Sequence, residues 1–472
     1  MAYHAIGIVL RDRGNLREAI LELRRGVRLA RASGRPEREA DVQATLGITL
    51  AWTGRSQEGL AVLDRAVEAS HGGAAGRVLH RRALVLYEMG RFRQAHEDLC
   101  RALPHMRRAG DTEWEPRSLT LRAHVSLAFG LPRRADADFA RAEELLAGEQ
   151  GLEYAKARHN RGLSAMSRGD LPETLTYFDE AGKRYDLLDV INPDLAIDRC
   201  WALLAAGLAA EAERETSAAL DRIPPGGGIT YRTAELIFAV ATAALASGHP
   251  ADARQRARQA RRQFQAQRRS PWEARASLVL AEARYVAGEH SLALLRYAEE
   301  VAARLEACHA DEAMQAHLLA GRIALTRGSV TQADPHLERA ARSRRRGAPL
   351  SRSVAWLARA LQAEASGNAR ATVTACAQGL DALQEHQMRL GATELRAYGT
   401  AHGAELATLA QRDALRRGDV RRLLSWSERW RATALASRST PPGEDKDLAA
   451  ELEALRSVSR LLGSTEMAAA RR

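Results

Sequence analysis

A glycine recurs along this chain at a nearly constant interval, and this recurrence limits the fold more than any other feature of the sequence. Successive members of the set, here called the marker glycines, lie 36 to 41 residues apart until a last interval of 51 residues. The marker glycines are Gly14, Gly54, Gly90, Gly130, Gly169, Gly207, Gly248, Gly288, Gly328, Gly367 and Gly418. Because glycine adopts the backbone angles of tight turns without strain, a fixed glycine predicts a turn in every unit. A period of this length predicts a repeat array.

Small residues hold fixed positions around the marker glycines. Glycine, alanine or cysteine occupies the position seven residues before the marker in ten of the eleven units, and alanine occupies the position five residues after it in seven. The stretch from Arg158 to Ala181 shows the pattern, with Gly162 before the turn at Gly169 and Pro172 after it. Small side chains allow two helices to approach closely, and proline suits the first turn of a helix. The pattern therefore predicts two helices folded back on each other in each unit.

This arrangement of small residues around a glycine turn resembles the tetratricopeptide repeat over about residues 1 to 383. The resemblance implies an all-α, right-handed superhelical solenoid of about eleven tetratricopeptide-like helix pairs, with a unit of about 40 residues. Prolines and glycines at 223–230 mark a candidate hinge or a plain loop. We expect a terminal long helix pair at 384–436, including one helix from His386 to Ala410, then a linker at 437–447 and a C-terminal helix and tail at 448–472.

The C-terminal third resembles a narrower family. The sequence RLLSWSERWRATALA, with RLGATELRAYGTAHGAELATLAQRDALRRGD before it and PPGEDKDLAAELEALRSVSRLL after it, is similar to the connector of actinobacterial proteins in which tetratricopeptide repeats precede a CHAT domain. CHAT domains are caspase-like cysteine peptidase modules, and the catalytic His and Cys of that family belong to an α/β module. The sequence holds no β-rich segment. The resemblance thus implies a non-catalytic array that senses a partner for a CHAT module encoded downstream or separately.

The basic charge of the chain leaves a second function open. The formal net charge is +11, and arginine supplies nearly all of the 70 basic residues. The most basic helix is predicted at 252–269, with Ala253, Ala257, Ala260 and Phe264 as its buried stripe. Its basic outer face would then comprise Arg254, Arg258, Arg261 and Arg262. The alternative function is an arginine-rich nucleic-acid-binding or transcription-regulatory repeat protein. The face holds no interleaved aromatic residue or Gly-rich loop, which favours solvation as its role, and nucleic acid is not the expected partner.

Cysteine spacing and hydropathy predict the compartment. The four cysteines lie about a hundred residues apart and form no C-x-x-C pair, which indicates a reducing compartment. No run approaches the ~18 apolar residues of a membrane span. We therefore expect a cytoplasmic protein, with no membrane partner. No phosphate-binding, dinucleotide-binding or metalloprotease motif occurs, and hence no cofactor and no metal site are predicted.

The repeat frame predicts where a partner would bind. In the tetratricopeptide family, first-helix residues ten, six and three positions before the turn face the concave groove. Imidazole, aromatic and amide groups at or beside these positions suit a protein or peptide ligand. The leucines at these positions are explained equally well by packing against the adjacent unit. The candidate partner-binding residues are His80, Tyr87, His124, His159, Asn160 and Trp201. Clamping of a terminal carboxylate is not expected, because no Asn stands six residues before any marker glycine.

Overall fold

A computed structural model describes residues 2–148, 151–223, 230–388 and 403–435. Within these ranges the chain forms 22 α-helices and one short 3₁₀ turn at Ala341–Ser343, and no β-strand. Each marker glycine separates the two helices of a pair, so the described residues contain eleven helix pairs. The fold class predicted from the sequence, an all-α array of tetratricopeptide-like helix pairs, is confirmed. The handedness of the predicted superhelix stays a prediction.

The helices of the first five pairs are α1 (Ala2–Asp12), α2 (Leu16–Ala32), α3 (Pro36–Trp52), α4 (Ser56–Glu68), α5 (Gly72–Glu88), α6 (Phe92–Ala109), α7 (Trp114–Ala128), α8 (Pro132–Leu146), α9 (Leu152–Arg168) and α10 (Leu171–Leu187). The next four pairs are α11 (Pro193–Ala205), α12 (Ala209–Asp221), α13 (Thr230–Ala246), α14 (Pro250–Ala266), α15 (Ser270–Val286), α16 (Leu292–Ala307), α17 (Ala313–Thr326) and α18 (Val330–Ala340). The last two pairs are α19 (Pro349–Ala365), α20 (Ala369–Met388), α21 (Ala404–Arg416) and α22 (Val420–Leu435). None of the described helices is both long and apolar enough to cross a bilayer.

Internal contacts divide the chain into two compact units, and each is considered separately. Unit 1 comprises the described residues of Met1–Arg168 and Tyr177–Asp189, and unit 2 comprises those of Gly169–Thr176 and Val190–Arg472. The predicted array boundary at residue 383 falls inside α20. Most of the candidate hinge (224–229), the linker (437–447) and the C-terminal helix and tail (448–472) lie outside the described residues.

All eleven marker glycines occupy the left-handed region of backbone conformation. Their φ angles lie between 65° and 91°, a range that residues with a Cβ atom rarely adopt. At Gly14, for example, an added Cβ would meet no atom within 4 Å, so the backbone conformation and not the available space requires glycine there. The regular spacing of these glycines therefore reflects one turn geometry used in every unit.

A second rule pairs residues across each turn. The residue seven positions before the marker faces the residue nine positions after it, and the second of these is a large buried side chain wherever the first is glycine. A Cβ on Gly47 would lie 2.6 Å from Leu63, and a Cβ on Gly162 would overlap the ring of Phe178. The buried side chains in this position include Leu23, Leu63, Leu99, Phe139, Phe178 and Leu337. This contact sets the close spacing of the two helices.

Ion pairs join the two helices beside this contact. Arg82 Nε and Nη2 donate to the Asp98 carboxylate at 2.7 and 2.6 Å. The same offsets, eight residues before and eight after the marker, bring together Arg122 with Asp138 and Arg199 with Glu215. Two parallel N–H···O bonds fix both the distance and the rotation of the paired helices.

One predicted helix differs from the structure. The sequence suggested a single helix from His386 to Ala410, but α21 begins at Ala404 after Gly403, whose φ and ψ angles are −105° and −3°. A Cβ at Gly403 would lie 2.5 Å from the Leu383 side chain. Leu383 therefore packs closely on Gly403, directly before the start of α21. Residues 389–402 lie outside the described part of the chain.

Candidate functional site

The first helices of unit 1 line an open groove of about 800 Å³. Side chains from α1, α3, α5, α7 and α9 form most of its surface, and α8 contributes Leu146. The groove residues used below are Arg11, Trp52, His80, Arg81, Leu84, Trp114, Arg117, Thr120, His124, Lys156 and Asn160. We call this surface the first-helix groove.

Trp114 occupies a central position in the first-helix groove. The Asp111 carboxylate accepts a hydrogen bond from its backbone N–H at 3.2 Å and so fixes the start of α7. Guanidinium groups lie against the indole, with Arg81 at 4.5 Å and Arg117 at 5.2 Å from the ring centroid. Cation–π contacts of this kind hold an aromatic ring in place while leaving guanidinium N–H groups to bind other acceptors. The half-buried indole is therefore a preorganised apolar surface.

A buried polar network supports Trp114 from below. Arg81 is only 8% exposed, and its Nη1 donates to Asp41 Oδ1 at 2.7 Å. His80 Nδ1 lies 2.9 Å from Ser118 Oγ, and the imidazole packs edge-on against the indole of Trp114 at 5.3 Å. Burial, with smaller contributions from Arg81 and Arg117, lowers the pKa of His80 to about 3. His80 is therefore neutral at physiological pH, and its hydrogen bond with Ser118 holds the imidazole against the indole of Trp114.

A second tryptophan lies in the same groove. Trp52 is 41% exposed, and its indole N–H donates to the two Glu88 carboxylate oxygens at 3.0 and 3.1 Å. The Arg11 guanidinium lies 5.3 Å from its ring centroid. A hydrogen-bonded indole N–H and an open ring face are features that make tryptophan effective at interfaces.

The charges of the first-helix groove are paired. Arg11 contacts Asp12 at 2.8 Å, Arg117 contacts Glu113 at 3.0 Å, and Lys156 contacts Glu153 at 2.9 Å, in addition to the bond between Arg81 and Asp41. A carboxylate thus balances each of these four cations. A site built for phosphate concentrates unpaired cations and backbone N–H groups, and this groove does not. Its chemistry suits a peptide of mixed composition.

Three of the six candidate partner-binding residues, His80, His124 and Asn160, line the first-helix groove. His124 packs edge-on against Phe139 at 5.2 Å. Asn160 is half-buried, and no hydrogen-bond partner for its amide occurs among the described residues. An amide with a free donor and a free acceptor can bind the backbone of a peptide in extended conformation.

The other three candidates lie elsewhere. His159 is 6% exposed and packs between Phe178 and Tyr185, at ring distances of 5.3 and 6.5 Å. Tyr87 contacts Phe92 at 5.6 Å beside the groove. Trp201 belongs to unit 2, where it packs on Phe238 at 5.9 Å. His159 is thus part of the core, and we do not include these three side chains in the site.

Sequence reasoning missed both groove tryptophans and their arginines. Trp114 lies sixteen residues before the marker Gly130, outside the three positions taken from the shorter family repeat. Trp114 and Arg117 lie in the first turn of α7, farther from the marker glycine than any of these positions. Trp52 lies two residues before Gly54, closer to the marker than any of them.

The basic outer face lies on α14 in unit 2. Arg254, Arg258 and Arg262 are exposed, whereas Arg261 is half-buried and donates to the Tyr297 hydroxyl at 3.2 Å. The predicted stripe of Ala253, Ala257, Ala260 and Phe264 is fully buried. The exposed arginines border a shallow depression of about 950 Å³ whose lining comes from this one helix. Within the described residues, no group of three or more His, Cys, Asp or Glu side chains is arranged to hold a metal ion.

No protein-family model and no curated protein sequence matches the chain. Among solved structures, a tetratricopeptide repeat protein from Parabacteroides merdae is 17% identical, with 60% of this chain and 97% of that chain covered and a TM-score of 0.42. A Rap protein complexed with competence and sporulation factor is 13% identical, with coverages of 76% and 99% and a TM-score of 0.47. A human IFIT1 dimer with m7Gppp-AAAA is 15% identical, with coverages of 84% and 90% and a TM-score of 0.48. Similarity at this level says nothing about what this chain binds.

Proposed function

We propose that the chain is a non-catalytic interaction scaffold whose first-helix groove binds a peptide segment of a partner protein. The observation that carries the proposal is the pair of partly open indoles, Trp52 and Trp114, held by arginines in a groove of about 800 Å³. Aromatic anchors in a mainly preformed groove are the usual source of peptide-binding energy. Paired groove charges favour a peptide over a polyanion.

The residues divide the work of recognition. The indole faces of Trp52 and Trp114 would bury apolar side chains of the peptide, and the Asn160 amide would bind its backbone. Leu84 and Thr120, both in the groove lining, would complete the contact surface. His80 and Arg81 are only 9% and 8% exposed, which leaves little of their surface for a ligand, and their role is to hold Trp114 in position.

The test is selection of displayed random peptides on the full chain, followed by affinity measurement with the selected peptides. Trp114→Ala should weaken binding about tenfold or more, because truncation of a central aromatic anchor costs about 2 kcal/mol. Phe129→Ala removes a 44% exposed aromatic side chain outside the groove lining and serves as the matched control. Peptides that bind the Trp114→Ala chain as tightly as the unchanged chain would contradict the proposal.

We further propose that the partner belongs to a CHAT-type caspase-like protease system and that the protein works in the cytoplasm. The first part rests on the resemblance of the quoted sequences within 389–462, of which the structure describes 403–435. The second part is supported by the cysteines: all four are free, with Cys100 and Cys308 exposed. Mixing the chain with a purified CHAT module and measuring peptidase activity tests the first part. Unchanged activity together with no binding would contradict it.

A further inference from the structure

The outer surface of α14 carries a row of exposed cations. Arg254, Arg258 and Arg262 follow one another at intervals of four residues and are all exposed. No carboxylate within the described residues forms an ion pair with any of the three. Arg254 lies close enough to Glu289 to help lower the pKa of that carboxyl, but the main cause of the shift is Arg284, which binds both Glu289 oxygens at 2.9 and 2.6 Å.

Other arginines nearby have partners within the protein. Arg261 on the same helix binds Tyr297, and Arg269 just beyond the helix binds Glu235 and lies over the ring of Trp272 at 5.0 Å. Groups of the protein itself therefore bind these two arginines. The three arginines of the row form no such contact and can bind an external partner.

We propose that this row is a second interaction surface, separate from the first-helix groove, and that it binds an acidic α-helix of a partner protein. Four residues of an α-helix advance about 6 Å, so the row from Arg254 to Arg262 spans about 12 Å. A partner helix with Glu at every fourth position presents carboxylates at the same interval. Arginine binds carboxylates through two parallel hydrogen bonds, which gives such a pairing its geometry.

The surroundings favour a narrow acidic partner over nucleic acid. The cationic row is one helix wide, and its neighbour on α14 is a row of amides formed by Gln255, Gln259 and Gln263. A nucleic-acid duplex presents phosphates on two strands and is bound by cations spread over a surface wider than one helix. An acidic helix matches a row of cations that is one helix wide.

The experiment uses the full chain and a fluorescent alanine-based peptide with Glu at every fourth position. A peptide of the same composition with the Glu residues dispersed around the helix is the specificity control. The variant Arg254→Gln, Arg258→Gln, Arg262→Gln removes the row. Its matched control, Arg108→Gln, Arg133→Gln, Arg134→Gln, removes three exposed arginines from unit 1 that form no ion pair within the described residues.

The ordered peptide should bind the unchanged chain about tenfold tighter than the dispersed one at low salt, since each exposed ion pair contributes a factor of about two to five. The α14 variant should lose this preference and the control variant should keep it. A chain with Arg258→Glu and Arg262→Glu should instead bind a peptide in which Arg replaces Glu. Equal binding of both peptides, equal loss in both variants, or tighter binding of a DNA duplex than of the ordered peptide would overturn the proposal.

Discussion

The imidazoles of His317 and His336 stack with their Nδ1 atoms 3.0 Å apart. Each ring has a carboxylate on its other side, with Glu306 at 2.9 Å from His317 Nε2 and Glu299 at 3.3 Å from His336 Nε2. A hydrogen bond between the two Nδ1 atoms needs one proton and one lone pair. Protonation of both Nδ1 atoms would set two N–H donors against each other, so this contact between α17 and α18 depends on the protonation state.

We expect this histidine pair to make unit 2 sensitive to acid. Burial is the main cause that lowers the pKa of His317, and it outweighs the opposing effect of Glu306, while His336 and Arg339 lower it further. Because the unfolded chain takes up a proton near pH 6.5 and the folded one only below that, the free energy of unfolding falls as the pH drops through 6.5. His317→Gln should reduce this fall in urea titrations at successive pH values. An unchanged slope would contradict the prediction.

Glu306 contributes in the same direction at lower pH. Its hydrogen bond from His317 is the main cause that lowers its pKa, so its stabilising effect is present above about pH 4.5 and is lost as the pH falls through the folded value.

His80 gives a second acid-sensitive position, this time in unit 1. With a pKa of about 3 in the folded chain and about 6.5 in the unfolded chain, it should cost about 2 kcal/mol of stability between pH 6.5 and pH 5. His80→Gln should remove most of that loss while retaining a hydrogen-bonding group near Ser118. The measurement is the difference in unfolding free energy between the two pH values, and an equal loss in the variant would show that His80 does not titrate as described.

Glycine and alanine should not be interchangeable at the position seven residues before a marker, because each is fitted to its own partner side chain. Gly162→Ala would overlap the Phe178 ring, and overpacking should outweigh the helix-propensity gain and destabilise the protein by about 1–2 kcal/mol. In the neighbouring pair, Ala123 already fits against Phe139, so Ala123→Gly should also destabilise, by about 1 kcal/mol, through helix propensity. Urea unfolding of both variants checks this, and a stabilised Gly162→Ala protein would contradict the packing.

The turns of this fold were predictable from the sequence, and the contacts across each pair were not. A glycine with positive φ has no good substitute, so its position repeats visibly. The contact between Gly162 and Phe178 joins a position that repeats as a small residue to one that does not repeat. The residue nine positions after the marker ranges from Ala257 and Thr216 to Phe178, so the second position shows no pattern from which the contact could be predicted.

The candidate site was predictable only where the family offsets apply. His80, Thr120 and His124 line the groove as the repeat frame suggested. His159 has the same offset as His80, but α10 supplies Phe178 and Tyr185 to cover it. Trp114 lies in the first turn of α7, sixteen residues before Gly130 and outside all three offsets. The extent of the groove therefore depends on helix length and on the residues of the following helix, which an offset rule does not contain.

The ion pair between Arg82 and Asp98 should contribute more than its more exposed counterpart between Arg122 and Asp138. Asp98 is 4% exposed and takes both hydrogen bonds from Arg82, and Asp64 Oδ1 accepts a third at 2.8 Å. Asp98→Ala leaves the Arg82 guanidinium, whose side chain is 17% exposed, with only the more exposed Asp64 as partner, and should destabilise unit 1 by about 3 kcal/mol.

The same change at Asp138, whose side chain is 14% exposed, should cost less, about 1–2 kcal/mol, because water can solvate the remaining Arg122. Replacing both partners by apolar residues, Arg82→Met with Asp98→Leu, should recover most of the loss, since no charge is then left buried. Urea unfolding of the three variants measures these differences. If the double variant were as unstable as Asp98→Ala, packing of the carboxylate and not its charge would account for the effect.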